Sequence, residues 1–128
     1  IVKGEIPSAK VFENEKVFAF LDINPLSNGH CLMIPKQHFE NIFDIEEDIL
    51  AEISKTAKEL AEKMKNSLGA KAVNLVNASG REAEQSVFHF HMHVVPRYEN
   101  DGLEMNKWWQ SKVKKSNFEE LRKLAEKI

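Results

Sequence analysis

The sequence predicts an α+β fold in which an antiparallel sheet of about five strands packs against one long helix, followed by a helical C-terminal extension. Three observations lead to this prediction. Short apolar segments alternate with turn-forming residues, one long segment has helical periodicity, and a polar break precedes the last quarter of the chain. The 128 residues, 42% hydrophobic and 30% charged, suit one domain. We expect residues 101–128 to extend the domain that residues 1–100 form.

Five short segments have the composition of β-strands. They are rich in β-branched, aromatic and other apolar residues, and Gly, Pro, Asn or Ser lies between them. The turn-rich stretch 24–29 separates the second predicted strand from the third, and Pro35 is expected to stop the third. The predicted strands are residues 11–13, 17–21, 31–34, 72–77 and 87–95.

The clearest helix is predicted over residues 45–68, because its apolar residues recur at every third or fourth position. Asp44 is expected to cap its start, with Glu47 at the capping-box position, and Gly69 to end it. The role of the apolar positions is core packing. They are Ile45, Ile49, Ile53, Ala57, Leu60, Ala61, Met64 and Leu68.

After a turn-rich boundary at residues 98–102, residues 103–128 are predicted to form one or two helices. Ser116 or Asn117 can start the last of them. Adjacent residues on a helix point about 100° apart, so Trp108 and Trp109 should not enter the same pocket. We expect one to pack on the domain and the other to lie at a subunit contact, with contact to a substrate as the alternative.

Charge and composition exclude several classes of protein. The net charge of −2 gives no general attraction to nucleic acid or anionic membranes. Cys31 is the only cysteine, so no intrachain disulfide can form, and a small buried hydrophobe is its expected role. No apolar run approaches the length of a membrane span and no signal peptide is visible, so we expect a cytoplasmic protein.

The most informative segment is the alternating run His89-Phe90-His91-Met92-His93. On a strand, the three histidines would line one face and the apolar residues the other. Two chemical interpretations compete. The imidazoles could bind zinc, or one of them could attack an electrophile while its neighbours position charge and move protons. A solvent-facing strand that is merely rich in histidine is the third interpretation.

The polar loop at residues 77–86 favours a phosphate over a metal. It contains Gly80 and several amide and hydroxyl side chains, which can present neutral donors to an anion. A catalytic metal site often adds a carboxylate, and no Asp or Glu lies within residues 85–98. Asp22, Glu82 or Glu84 could still fold back to supply one.

The run His89-Phe90-His91-Met92-His93-Val94-Val95 resembles the signature of the histidine triad family, in which histidines alternate with apolar residues. Segments 1–7, 20–25, 29–30 with 34–38, and 85–87 also resemble family segments, in family order. The resemblance implies a hydrolase or transferase that acts on the α-phosphate of purine nucleotide derivatives, either nucleoside phosphoramidates or dinucleoside polyphosphates. It also implies a covalent nucleotidyl-histidine intermediate. We expect no cofactor, and the polar loop leads us to expect no bound metal.

The resemblance also implies roles for individual histidines. His91 would be the nucleophile. His89 and His93 would donate to phosphoryl oxygens, orient His91 and assist proton transfer. His30 would complete a proton relay behind them. His38 is interpreted as structural.

The remaining implied roles concern the nucleotide. Asp22 matches a carboxylate that holds the ribose hydroxyls, and Asn77, Gln85 and Ser86 match polar positions around the phosphate. Core packing is an equally good interpretation of the positions that match apolar walls of the base pocket. These are Phe20, Leu21, Ile23 and Leu32, with Ile1 and Ile6 as weaker candidates.

Two departures from the family pattern affect the phosphate loop. Glu84 stands where the family commonly has Gly, and the loop from Asn77 to His89 is one residue longer than in many members. The partners we expect are a small nucleotide substrate and a second copy of the chain. The alternatives are a nucleotide-binding regulatory or scaffold protein with weak hydrolysis, and a zinc-dependent hydrolase.

Overall fold

A computed structural model describes residues 7–128, so Ile1 and Ile6 lie outside the described residues. The sheet has five strands, each antiparallel to its neighbours, in the order β1-β2-β3-β5-β4. This confirms the predicted α+β fold class. The elements are β1 Lys10–Glu13, β2 Val17–Leu21, β3 Cys31–Pro35, α1 Glu47–Leu68, β4 Ala72–Val76, β5 Met92–Arg97, α2 Met105–Lys112 and α3 Phe118–Lys127. Across residues 7–128, every helix is too short or too polar to cross a bilayer.

The core lies between α1 and one face of the sheet. Ile53, Ala57 and Leu60 of α1 are buried there, as the helical periodicity predicted. Cys31 belongs to the same cluster, and burial raises the pKa of its thiol to about 11. Cys31 is therefore a buried hydrophobe, as expected, because a thiol with that pKa stays protonated near neutral pH.

The start of α1 differs from the prediction. The helix begins at Glu47, and Asp44 does not cap it. Instead, the Asp44 carboxylate accepts the backbone N–H groups of Glu40 and Asn41, at 3.0 and 2.8 Å, and closes the preceding turn. The predicted end is confirmed, since Gly69 follows Leu68 in the left-handed region, where glycine has no steric penalty.

The last strand is shorter than predicted. β5 begins at Met92, and residues 87–91 are irregular, so the predicted strand start at residue 87 is wrong. The Phe90 N–H donates to the Phe39 carbonyl at 2.6 Å, which ties this segment to the chain that leads into α1. The apolar side of the alternation is nevertheless maintained, because Phe90 and Val94 are both fully buried in the core.

Glu84 adopts a left-handed backbone conformation, with φ of 67°. An L-residue there costs roughly 1–2 kcal/mol that glycine avoids. We therefore expect Glu84→Gly to raise the free energy of unfolding by about 0.5–1 kcal/mol, measured by denaturant titration, after the greater flexibility of glycine in the unfolded chain is subtracted. Glu84→Ala is the matched control. It removes the carboxylate but retains the strain, so an equal gain from alanine would assign the effect to charge.

The C-terminal extension forms two helices, and Asn117 starts the second by accepting the Glu120 N–H at 2.9 Å. An ion pair anchors the start of the extension to the end of β5. Arg97, at the end of β5, forms a two-pronged ion pair with Asp101, which holds the pKa of that carboxyl well below its usual range. Trp108 and Trp109 are 63% and 64% exposed, so the expectation that one packs on the domain is wrong.

Candidate active site

Two of the three alternating histidines, together with His30, meet at one end of β5. The ring centroids of His91 and His93 lie 5.2 Å apart, and those of His93 and His30 lie 5.1 Å apart. His93 is paired with Leu32 of β3 and with Val76 of β4, so it lies on a central strand of the sheet. The fold therefore brings together three of the four histidines that were assigned to catalysis, and His89 occupies a separate position.

The orientation of His91 follows from one hydrogen bond. Its Nδ1 lies 2.9 Å from the backbone carbonyl of His89, and because a carbonyl only accepts, Nδ1 carries the proton. In the neutral ring, Nε2 is then left with a free lone pair. The Asn77 amide donates to the His91 carbonyl at 2.9 Å and fixes the backbone of this residue. These two hydrogen bonds fix the ring and backbone of His91 and leave Nε2 as the ring nitrogen with an available lone pair.

The same reasoning assigns the protons of His30 and His93. The Leu26 N–H lies 3.0 Å from Nδ1 of His30, and because a backbone N–H only donates, this nitrogen must accept. Neutral His30 then carries its proton on Nε2, which lies 2.9 Å from Nδ1 of His93 and donates to it. Neutral His93 is left with its proton on Nε2. It can therefore donate a hydrogen bond to a phosphoryl oxygen or a leaving group.

The loop that carries His30 is fastened to the end of β5. Ser27 Oγ donates to the Pro96 carbonyl, and the Tyr98 hydroxyl donates to the Asn28 carbonyl, both at 2.6 Å. Gly29 has φ of 96°, and a Cβ there would lie 2.5 Å from Leu68 Cδ1. The close approach and the backbone conformation together account for glycine immediately before His30.

Burial lowers the pKa of both His30 and His93. For His93, the neighbouring His91 and His30 lower the pKa further, while Asp22 opposes the shift at both residues. The unfolded chain binds protons at these groups near pH 6.5, and the folded chain binds them only at lower pH. We therefore expect the free energy of unfolding to fall as the pH decreases below about 6.5.

Denaturant titrations at several pH values between 5 and 8 would measure this dependence. His30→Gln removes one of the two groups, so its curve should be flatter than that of the unmodified chain. Parallel curves would contradict the assignment, because they would show that other groups carry the pH dependence.

The His89 ring pairs with the ring of His38, apart from the cluster formed by the rings of His30, His91 and His93. Its Nε2 donates to the Pro35 carbonyl at 2.9 Å, and its Nδ1 lies 2.9 Å from Nδ1 of His38. Both ring nitrogens therefore have partners within the protein, so donation from His89 to a phosphoryl oxygen would require these partners to be exchanged. The contribution of His89 in this structure is its backbone carbonyl, which orients His91. The contact between His38 and His89 is the feature of this region that the sequence did not predict, and it is compatible with the structural role expected of His38.

One oxygen of the Asp22 carboxylate accepts a backbone hydrogen bond, and the other is available to a ligand. Oδ1 accepts the Asn24 N–H at 2.9 Å, as in a turn that precedes Pro25, while Oδ2 lies 3.7 Å from Nε2 of His30. The side chain is largely buried beside the histidines. This position allows Oδ2 to accept from a sugar hydroxyl while Oδ1 maintains the turn.

The four apolar candidates for a base pocket occupy different surroundings. Phe20 is paired with Leu32, and Leu32 with His93, so these three residues form a row across one face of the sheet. Leu21 is paired with Cys31 and lies on the opposite face. Ile23 follows β2 and is 91% exposed. Phe20 and Leu32 therefore lie where they could form an apolar wall of a base pocket beside His93.

The three phosphate-loop candidates also differ. Gln85 is buried, and its side chain accepts the Gly80 N–H at 2.8 Å while donating to the carbonyls of Glu40 and Val87. Gln85 therefore connects both ends of the loop to the segment before α1. Ser86 is exposed next to it, and Asn77 uses its amide to hold His91. A direct phosphate contact by Gln85 would require it to release one of these carbonyls.

Two groups of side chains are close enough together to be candidate metal ligands. Within residues 7–128, the one group of three or more candidate ligands is Asp22, His30 and His93. His30 could ligate through Nε2 only with its proton on Nδ1, where the Leu26 N–H already points, so this group does not suit a metal. The Nδ1 atoms of His38 and His89 converge, and His89 donates its other N–H to a carbonyl, as metal-binding histidines do.

Comparisons with known proteins agree with the fold and the histidine pattern. The family model described as the HIT domain matches residues 3–100. Adenosine 5'-monophosphoramidase HNT1 of Saccharomyces cerevisiae is 37% identical over 129 residues, which cover 100% of this chain and 77% of the yeast protein. A HIT family protein from Bacillus anthracis superposes with a TM-score of 0.83 at 38% identity and covers 98% of this chain and 89% of its own.

A Zn-bound histidine triad family protein from Mycobacterium smegmatis superposes with a TM-score of 0.78 at 34% identity, over 81% of this chain and 76% of that one. The match to the HIT domain, the yeast relative that aligns with all of this chain and the convergence of His30, His91 and His93 lead to one conclusion. The chain belongs to the histidine triad (HIT) family.

Proposed function

We propose that this protein hydrolyses purine nucleoside phosphoramidates through a covalent nucleotidyl-His91 intermediate, with dinucleoside polyphosphates as the related substrate class. The observation that carries the proposal is the hydrogen bond from His91 Nδ1 to the His89 carbonyl, which leaves Nε2 free to attack phosphorus. The similarity over the whole chain to a yeast protein named an adenosine 5'-monophosphoramidase supports the choice of substrate.

In the first step, Nε2 of His91 attacks the α-phosphorus and the bond from phosphorus to the leaving nitrogen breaks. The amine departs with one proton, which His93 or solvent supplies. Because His91 retains its Nδ1 proton, the ring gains positive charge as the new bond forms. The His89 carbonyl, 2.9 Å from Nδ1, stabilises that charge without any movement of the chain.

In the second step, water attacks phosphorus, the bond to Nε2 breaks, and the nucleoside monophosphate is released with His91 regenerated. Splitting one displacement into two easier ones is the advantage of a nucleophilic side chain. The attacking water loses one proton to Nε2 of His93 or to solvent, which restores the proton supplied in the first step, while His30 donates to the other nitrogen of the His93 ring. We propose that Asp22 holds the ribose and that Phe20 and Leu32 contact the base.

The direct test is turnover of adenosine 5'-phosphoramidate and of a diadenosine polyphosphate, each with and without a chelator. We expect the purified protein to hydrolyse the phosphoramidate at the same rate in both conditions, since Nε2 of His91 requires no metal. Nucleotide binding without turnover would favour a regulatory or scaffold protein. Turnover that stops with the chelator and returns with added zinc would favour the zinc-dependent hydrolase.

A structural metal is compatible with this mechanism. If the chain binds zinc, as its Mycobacterium smegmatis neighbour does, we propose that the Nδ1 atoms of His38 and His89 hold it. A closed zinc site needs four ligands, so this pair would supply two of them. Zinc there would hold the side chains of His38 and His89, while Nε2 of His91 remains the attacking atom and needs no metal.

We also propose that the protein works as a twofold homodimer, because the edge strand β4 exposes Leu75 and Val76. Apolar residues on an open sheet edge are a surface that a second copy can cover, and twofold dimers are the commonest oligomers. This proposal concerns the assembly and is independent of the chemistry at His91.

A further inference from the structure

A series of hydrogen bonds connects the backbone of His91 to the segment that leads into α1. Asn77 Nδ2 donates to the His91 carbonyl at 2.9 Å, and Ser79 Oγ donates to Asn77 Oδ1 at 2.8 Å. Ser79 Oγ also accepts the N–H of Ile42, which lies 37 residues earlier in the chain, at 2.9 Å. The hydroxyl of Ser79 is therefore the connection between this distant segment and the amide that holds His91.

The donor and acceptor roles in this series are fixed at both ends. A backbone N–H only donates, so Ser79 Oγ accepts from Ile42 and its own proton is left for Asn77 Oδ1. A carbonyl only accepts, so the His91 carbonyl must face the Nδ2 end of the Asn77 amide. An amide turned by 180° would place its oxygen against the His91 carbonyl and lose both bonds in which Oδ1 accepts and Nδ2 donates. The Ser79 hydroxyl thus favours the amide orientation that holds His91.

The segment that orients the Ser79 hydroxyl is itself fixed by other contacts. The Asp44 carboxylate closes this segment as a turn by accepting two backbone N–H groups. The Glu40 carbonyl accepts from Gln85 Nε2 at 2.7 Å, which connects the segment to the phosphate loop a second time. Because these contacts do not involve Ser79, the segment and the fold should persist when the Ser79 hydroxyl is removed.

We propose that Ser79 is a positioning residue for the nucleophile. Its hydroxyl sets the Asn77 amide, and the amide holds the backbone of His91 and hence the direction from which Nε2 approaches phosphorus. The inference rests on the proposed covalent chemistry at His91. In-line attack is sensitive to small displacements, since a shift of about 1 Å can lower a rate by about a hundredfold. Both hydrogen bonds of the Ser79 hydroxyl are made within the protein, so Ser79 acts through Asn77.

The first test is Ser79→Ala, which removes both hydrogen bonds of the hydroxyl. We expect kcat for adenosine 5'-phosphoramidate to fall by about three- to tenfold, the effect of one ordinary hydrogen bond, while KM stays within about twofold. Ser79→Thr retains the hydroxyl and should restore kcat. The matched control is Ser111→Ala, because the Ser111 hydroxyl also donates to a backbone carbonyl but lies in α2, and this variant should leave kcat unchanged.

The second test combines Ser79→Ala with Asn77→Ala. If Ser79 acts only through the Asn77 amide, Ser79→Ala should lower kcat no further in a chain that already carries Asn77→Ala. Each change made alone should lower kcat. Additive losses would show that Ser79 affects turnover by another route and would overturn the proposal.

A third measurement needs no substrate and separates this inference from the proposed function. The side-chain NH₂ protons of Asn77, identified in NMR spectra by their loss in Asn77→Ala, should exchange with solvent faster in Ser79→Ala than in the unmodified chain. Ser79→Thr should restore the slower exchange. An unmodified protein without turnover would overturn the proposed function, whereas unchanged exchange in Ser79→Ala would overturn the role of Ser79. A Ser79→Ala variant with the unmodified kcat would also overturn it.

Discussion

Replacement of His91 by alanine is expected to lower turnover of adenosine 5'-phosphoramidate by at least about a thousandfold, because it removes the attacking Nε2. The fold should survive, since the side chain is only half-buried and the core residues Phe90 and Val94 are unchanged. Nucleotide affinity should also persist, because Asp22, Phe20 and Leu32 remain in place. Circular dichroism and equilibrium binding of the nucleoside monophosphate are the controls.

The unmodified protein provides the complementary result. Rapid quenching during turnover, followed by mass spectrometry under conditions that preserve acid-sensitive adducts, should find the nucleotidyl group on residue 91. An adduct on His89 or His93 would move the nucleophile to that residue. Turnover by His91→Ala close to the unmodified rate would contradict covalent catalysis altogether.

Replacement of Asp22 by asparagine is expected to weaken binding of a ribonucleotide more than binding of its 2'-deoxy counterpart. Oδ2 of Asp22 is free to accept a hydroxyl, and hydrogen bonds to a charged group contribute on the order of 1–3 kcal/mol. Calorimetric titration of both nucleotides with both proteins gives the four affinities. A general folding defect cancels in the comparison.

Asp44→Asn is the matched control for this experiment. Asp44 also accepts backbone N–H groups in a turn, but it lies before α1, away from the row formed by Phe20, Leu32 and His93. We expect it to affect both sugars equally. If Asp22→Asn behaves like Asp44→Asn, then Asp22 serves only the turn before Pro25, and the ribose site must lie elsewhere.

The elements governed by local periodicity were predictable from the sequence. The buried stripe of α1 from Ile49 to Met64, the end of that helix at Gly69 and the strand at residues 17–21 depend on spacing and on one glycine, and all three are confirmed. Leu68, which was predicted to pack in the core, is instead 45% exposed at the end of the helix. The start of α1 was not predictable in the same way. Asp44 is a residue type that commonly caps helices. Its carboxylate oxygens instead accept the backbone N–H groups of Glu40 and Asn41 in the preceding turn.

The geometry of the histidine run was predicted only in part. Alternation correctly placed Phe90 and Val94 in the core, but a backbone hydrogen bond to Phe39 replaces the regular ladder before Met92. That contact crosses about 50 residues of sequence, and periodicity within the run cannot reveal it. The pairing of His89 with His38 has the same origin, and the Pro35 carbonyl that fixes it also lies on a distant segment.

Two hydrogen bonds, from Ser27 to Pro96 and from Tyr98 to Asn28, connect the two residues before Gly29 to the end of β5. Partial opening of a protein proceeds in cooperative units, and this loop and the end of the strand form one such unit. A fluctuation that releases His30 must therefore also fray the strand that carries His93. The His30 and His93 rings would then separate together. The hydrogen-exchange rate of the β5 backbone amides would therefore report how long the hydrogen bond between these two rings persists.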